Sequence, residues 1–131
     1  MTKTEGDGDT AAQGGAAYRT FAIIAEEWQL NVDEQMQLLA ISDRHLFDDL
    51  KARTAAHERV EVPSAILERL GCVLSIYASL RILSLDDRAA DWLRGPYHAP
   101  PFEGRAALDL MCSDFAELSE VVSFLLAKRQ Y

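Results

Sequence analysis

The side chains able to do acid-base, nucleophilic or metal chemistry are present in this sequence, but their spacing assembles none of it. His45, His57 and His98 are scattered. No serine, threonine or cysteine has a histidine at a spacing suggestive of an activated nucleophile. Cys72 and Cys112 form no Cys-x-x-Cys pair and have no histidine at ligand spacing. Both fall within apolar helical patterns, so they read as reduced core thiols and not as metal ligands. The glycines at 6, 8, 14 and 15 lie near the N-terminus, while Gly71, Gly95 and Gly104 stand alone, which rules out a glycine-rich phosphate loop. Asp86-Asp87-Arg88 reads as a helix N-terminus, where carboxylates favour the positive end of the dipole. His98, beside Tyr97, reads as a loop residue packed on an aromatic ring. The expectation is a protein with no catalytic residue, metal or cofactor, whose surfaces carry its purpose.

One stretch stands out, from Asp91 to Met111. Three prolines, Pro96, Pro100 and Pro101, cannot continue a helix or a ladder, yet Trp92, Tyr97 and Phe102 are large apolar surfaces that a floppy linker would not need. The stretch reads as the end of one helix, an ordered connection pinned by aromatics, and a second helix opening behind Gly104; an ordinary interhelical loop is the plainer alternative.

The elements around it are all helical in period. Residues 1–16 are small, polar and glycine-rich and predict a disordered tail. Tyr18, Phe21, Ile24, Ala25 and Trp28 recur at helical spacing. Asn31 with Glu34 three positions on makes a capping box for a second helix through Met36, Leu38 and Leu39. Ala40-Ile41-Ser42 predicts a tight turn, with Ser42 as the cap of a third helix carrying Leu46, Phe47 and Leu50. Pro63 suits the first position of a helix running to Ser84. There Ile66, Leu70, Val73, Tyr77 and Leu80 form one stripe, which Leu67, Leu74, Ile76 and Leu83 widen, so this helix is a central core element, an element of a subunit interface, or both. Ser84-x-x-Asp87 restarts the chain, and Gly95 is a natural terminator after Arg94. Asp114-x-x-Glu117 caps the last helix, whose Phe115, Leu118, Val121, Val122, Leu125 and Leu126 keep helical spacing. The fold class is therefore all-α.

Trp92-Leu93-Arg94, Pro96, then Phe102-x-Gly104-Arg105 and a short helix resemble the toxin-binding region of the Xre/MbcA/ParS antitoxin family. The resemblance extends from about Tyr18 to the C-terminus, with Tyr97 in place of an asparagine and Ala107 in place of a second proline. It implies a helix-turn-helix-like Xre-type unit over 17–55 and a helical toxin-binding and dimerisation domain over 56–131, built on the central helix 63–84. It implies a cognate RES-domain toxin, one that consumes or transfers from NAD, as partner. Trp92, Arg94, Pro96, Phe102, Gly104 and Arg105 would form the toxin-facing connection. Lys128, Arg129, Gln130 and Tyr131 would plug a cleft built for an anionic dinucleotide; a frayed helix end is the other reading of those four.

Charge bears on the remaining partners. The net charge of -8 over 131 residues argues against gripping nucleic acid by bulk electrostatics and suits a basic protein partner. Between residues 18 and 53, Arg19, Arg44, Lys51 and Arg53 face seven carboxylates, a balance of -3. Within a helix-turn-helix plan only Ser42, Arg44, His45 and Lys51 are placed to touch operator DNA, and Asp43, Asp48 and Asp49 would repel it. A structural three-helix unit that has lost the contact is the competing expectation. A repressor without a toxin and a purely structural helical dimer are the alternative functions. No run approaches the ~18 apolar residues of a membrane span, and no basic-then-apolar leader opens the chain, so a soluble cytoplasmic protein, a homodimer by the same resemblance, is expected.

Overall fold

A computed structural model describes the chain over residues 2–130, with side chains over 13–130. Among the described residues the elements are α1 (Thr2–Glu27), α2 (Val32–Leu38), α3 (Arg44–Ala55), α4 (Ser64–Ile82), a 3-10 turn (Asp86–Arg88), α5 (Ala89–Arg94), α6 (Ala107–Met111) and α7 (Phe115–Lys128). The only β pairing among them is an isolated antiparallel bridge between Pro96 and Ala106. The fold is all-α.

Helix α1 buries Tyr18, Phe21, Ile24, Ala25 and Trp28 and packs on α3 and α4. It also takes in the end of the segment expected to be a tail. Gly14 is buried within it, so close to Val62 and Leu67 that an added Cβ would meet their methyl groups at 3.3 and 3.2 Å. The boundary expected after residue 16 therefore falls inside a packed helix, because a chain without side chains lets α1 approach the start of α4. The rest of that expectation concerns residues 1–12, whose side chains lie outside the described residues.

The capping box at α2 forms as the spacing predicts: the Glu34 amide donates to Asn31 Oδ1 at 2.8 Å and the Asn31 amide to Glu34 Oε1 at 3.0 Å. At α3 the cap is Asp43, not Ser42; Asp43 Oδ1 accepts from the His45 amide at 2.9 Å. The two residues are adjacent and both are cap formers, so one position decides between them. Ala40 occupies the left-handed region, with φ 56°.

Helix α4 begins one residue later than expected, with Pro63 outside it. Ile66, Leu70, Val73, Ile76 and Leu80 are buried, Tyr77 is half-buried with its hydroxyl donating to Glu27 at 3.1 Å, and α7, which buries Leu118, Val121 and Leu125, also packs on α4. Asp114 caps α7, its Oδ1 accepting from the Glu117 amide at 2.9 Å. Phe115 and Leu126, expected on the apolar face of α7, are exposed. Ser84 takes φ 61° and makes no cap; a 3-10 turn restarts the chain.

Arg69 is the unexpected member of the core, 5% exposed among the apolar residues of α4. Its Nε donates to the Leu38 carbonyl at 2.6 Å, and its Nη2 to those of Met111 and Ser113 at 2.9 and 3.0 Å. Leu38 and Met111 are the last residues of α2 and α6, so one guanidinium supplies donors to the orphan carbonyls and negative dipole ends of two helices. Burial holds the Arg69 pKa below its ordinary value. Tyr18 is the converse case: its hydroxyl is buried with no partner among the described residues, and burial, with Asp48, raises its pKa.

Candidate functional site

The candidate site is the connection between α5 and α6. Gly95 is extended, with φ -76° and ψ 142°, and so is not the left-handed terminator the sequence suggests; it leads directly into the bridge. The Gly104 amide donates to the Tyr97 carbonyl at 2.6 Å and the Tyr97 amide to the Arg105 carbonyl at 3.3 Å, closing the connection on itself. Gly104 turns the chain back with φ 90°, a conformation that glycine reaches without a Cβ penalty.

Aromatic rings hold the loop to the bundle. Trp92 and Tyr97 are 5.5 Å apart, Tyr97 and Phe102 5.5 Å, Trp92 and Phe102 6.2 Å edge to face. Phe102 is buried; Trp92 and Tyr97 are half-buried. The Tyr97 hydroxyl donates to the Trp92 carbonyl at 3.0 Å, and burial raises its pKa. The expectation of an ordered connection pinned by aromatics describes this arrangement; Phe124 of α7, which the sequence did not single out, completes it.

Phe124 also separates two apolar grooves. One, of about 310 Å³, is lined by Leu83, Leu85, Trp92, Leu125 and Lys128; the other, of about 420 Å³, by Pro100, Pro101, Ser119, Glu120 and Ser123. Lys128 Nζ lies 5.4 Å over the Phe124 ring, and Arg129 Nη1 is 3.4 Å from Ser79 Oγ.

Not every residue expected to face a partner does so. Phe102 has no surface to offer and acts as support. Arg94 is committed to the N-terminal half: its Nη1 and Nη2 reach the two Glu34 carboxylate oxygens at 2.8 and 3.1 Å, and Nη2 also reaches the Gln29 carbonyl at 2.9 Å. Arg105 Nη2 pairs with Glu117 at 2.7 Å. Each pairing lowers the carboxylate's pKa through the guanidinium hydrogen bond. Pro96, Gly104, Lys128, Arg129 and Gln130 are exposed, and Tyr131 lies outside the described residues.

On the α2–α3 side, Ser42, Arg44, His45 and Lys51 are all exposed. Arg44 is neutralised within its own helix by Asp48 at 3.0 Å, and Arg53 is paired with Asp49 at 3.5 Å and Glu58 at 3.3 Å. Lys51 lines a groove of about 340 Å³ with Ala22, Ala25, Glu26, Leu30 and Gln35.

Against known proteins, the chain is similar to the uncharacterized protein y4oB of Sinorhizobium fredii (strain NBRC 101917 / NGR234), with 34% identity over 121 residues, 91% of this chain and 88% of y4oB. The chain belongs to the y4oB family. No family model matches it, and no solved structure matches it. In this y4oB relative the cysteines are free and half-buried. Cys112 Sγ lies 3.8 Å from the Glu34 carbonyl, and burial, with Glu34, pushes its thiol up to about 11. Burial likewise raises Cys72. Thiols shifted in this direction are poor nucleophiles at neutral pH. Among the described residues no three His, Cys, Asp or Glu side chains are grouped to hold a metal, and no helix is long and apolar enough to cross a membrane.

Proposed function

We propose that this y4oB-family protein is a cytoplasmic antitoxin of the Xre/MbcA/ParS type, which neutralises a cognate RES-domain, NAD-consuming toxin through its C-terminal region and acts as a homodimer. The observation that carries the reading is the surface around Phe124. The residues that bear the family resemblance, Trp92, Pro96 and Gly104, lie on the connection that this ring pins. Lys128, the last residue of α7, lines one of the two grooves, and Arg129 follows it with its Nη1 3.4 Å from Ser79 Oγ. A half-buried aromatic set between apolar grooves with a cationic rim is the chemistry of a protein-binding hot spot. The acidic balance of the whole chain favours a basic partner.

Co-expression with the protein of the adjacent reading frame tests it. The pair should co-purify, and deleting residues 128–131 should restore the partner's toxicity while leaving the antitoxin folded. A truncated chain that neutralises as well as the whole one refutes the plug. Failure of any co-expressed RES-domain neighbour to associate refutes the antitoxin.

A repressor role is the second reading, carried by the α2–turn–α3 arrangement with Arg44, His45 and Lys51 exposed. The pairing of Arg44 and Arg53 with neighbouring carboxylates weakens it, since phosphate contacts need unneutralised cations. A gel shift on the protein's own promoter that stays blank at ~50 mM salt eliminates it.

A further inference from the structure

Two arginines tie the candidate partner surface to the α2–α3 unit, and they do so by different means. Arg69 fixes the C-terminal ends of α2 and α6 to α4 from inside the core. Arg94 works at the surface. It leaves α5 two residues after Trp92 and grips both carboxylate oxygens of Glu34 and the Gln29 carbonyl. Glu34 is at the same time half of the capping box that starts α2, its Oε1 accepting from the Asn31 amide at 3.0 Å and from Arg94 Nη2 at 3.1 Å. The carboxylate orientation that suits the cap is thus held by a residue of the connection. The Cys112 thiol, next after α6, lies against the carbonyl of that same Glu34.

We infer that the Arg94–Glu34 pair is a latch coupling the Trp92–Arg105 connection to the N-terminus of α2, so that occupation of one surface alters the order of the other. A partner whose carboxylate drew Arg94 away would free Glu34 to rotate and loosen the Asn31 cap. Linkage makes the relation reciprocal: whatever tightens α2 must tighten the hold on Arg94. The coupling is a property of the fold: it acts through the Arg94 contacts to Glu34 and Gln29 and does not depend on the partner being a toxin.

Amide hydrogen exchange on the full chain tests it without a partner. Arg94→Gln should speed exchange at the Asn31 and Glu34 amides about threefold or more, in keeping with an exposed but bidentate pair. Arg105→Gln is the control. Arg105 lies in the same connection but pairs within the C-terminal half, with Glu117, so it should speed exchange at Tyr97 and Gly104 and leave Asn31 unchanged. In the reverse direction, Asn31→Ala should raise exchange at Gly95 and Tyr97. Effects of Arg94→Gln and Glu34→Gln should be non-additive when combined. Exchange changes in Arg94→Gln confined to α5 and the connection, as in the control, overturn the latch; so do additive effects in the double variant.

Discussion

Phe102 stands edge-on to Phe124, with ring centroids 4.9 Å apart and planes at 82°. Through this contact a loop with three prolines is held against α7. Phe102 fills a fully buried position, so Phe102→Ala should destabilise the fold by about 3–5 kcal/mol. Trp92→Ala, from a half-buried ring, should cost about 2 kcal/mol. Urea unfolding followed by far-UV circular dichroism gives both numbers, and equal losses would mean that Trp92 is as deeply packed as Phe102.

Arg69→Met should be among the most damaging substitutions in the chain, by about 3–5 kcal/mol, because it leaves buried carbonyls without donors. Arg69→Lys should recover only part of the loss, since an ammonium lacks the planar fork that reaches Leu38, Met111 and Ser113 together. Equal midpoints for the methionine and lysine variants would contradict this.

Ala40 sits at φ 56°, a region in which a Cβ is strained and glycine is not. Ala40→Gly should stabilise the protein, by about 0.5–1 kcal/mol once the added freedom of the unfolded chain is subtracted. A lowered melting temperature in this variant would mean that the Ala40 methyl contributes packing that outweighs the strain.

Acid should weaken the two surface pairs in a defined direction. Arg94 holds the Glu34 carboxyl, and Arg105 the Glu117 carboxyl, below the ordinary value of 4.5. Their contribution is therefore present in full above that value and disappears as the pH falls through the lower, folded-state pKa. The stability difference between the native protein and Glu34→Gln should be clear at pH 7 and should shrink as the pH falls below 4.5. A difference that persists at low pH would place the effect of Glu34 outside its charge.

The Cys112 thiol carries the opposite sign. Its pKa of about 11, against an ordinary 9.0, means that the fold favours the protonated form; this stability is complete below pH 9 and lost between 9 and 11. Iodoacetamide should alkylate native Cys112 far more slowly at pH 8 than it does after unfolding. Equal rates in the two states would show that the thiol is freely exposed.

The caps and faces of the helices were legible because they rest on short-range chemistry. Asn31 with Glu34, Asp114 with Glu117, and the apolar series through α1, α4 and α7 all involve residues three or four apart. Arg69 escaped notice because its partners are backbone carbonyls 31, 42 and 44 positions away, and a backbone acceptor leaves no mark on residue type. One signal was available: Arg69 falls within the stripe of Ile66, Leu70 and Val73, where a solvent-facing charge has no place. The sequence reading places Arg94 and Phe102 on a partner-facing surface, but whether such residues face outward or inward depends on Glu34 and Phe124. Those pairings arise from tertiary packing, which periodicity does not encode.

The links made by Arg69 to the Leu38 carbonyl, and by Trp28 to Tyr77 with rings 6.2 Å apart, span the stretch between Ala55 and Pro63. A polypeptide cut there would lay bare the apolar faces that α1 and α4 bury against each other, and Arg69 would keep the Met111 and Ser113 carbonyls but lose that of Leu38. Neither piece would persist alone in water. Dissecting this protein's roles by expressing its halves would accordingly report on aggregation, and single substitutions in the intact chain are the sounder instrument.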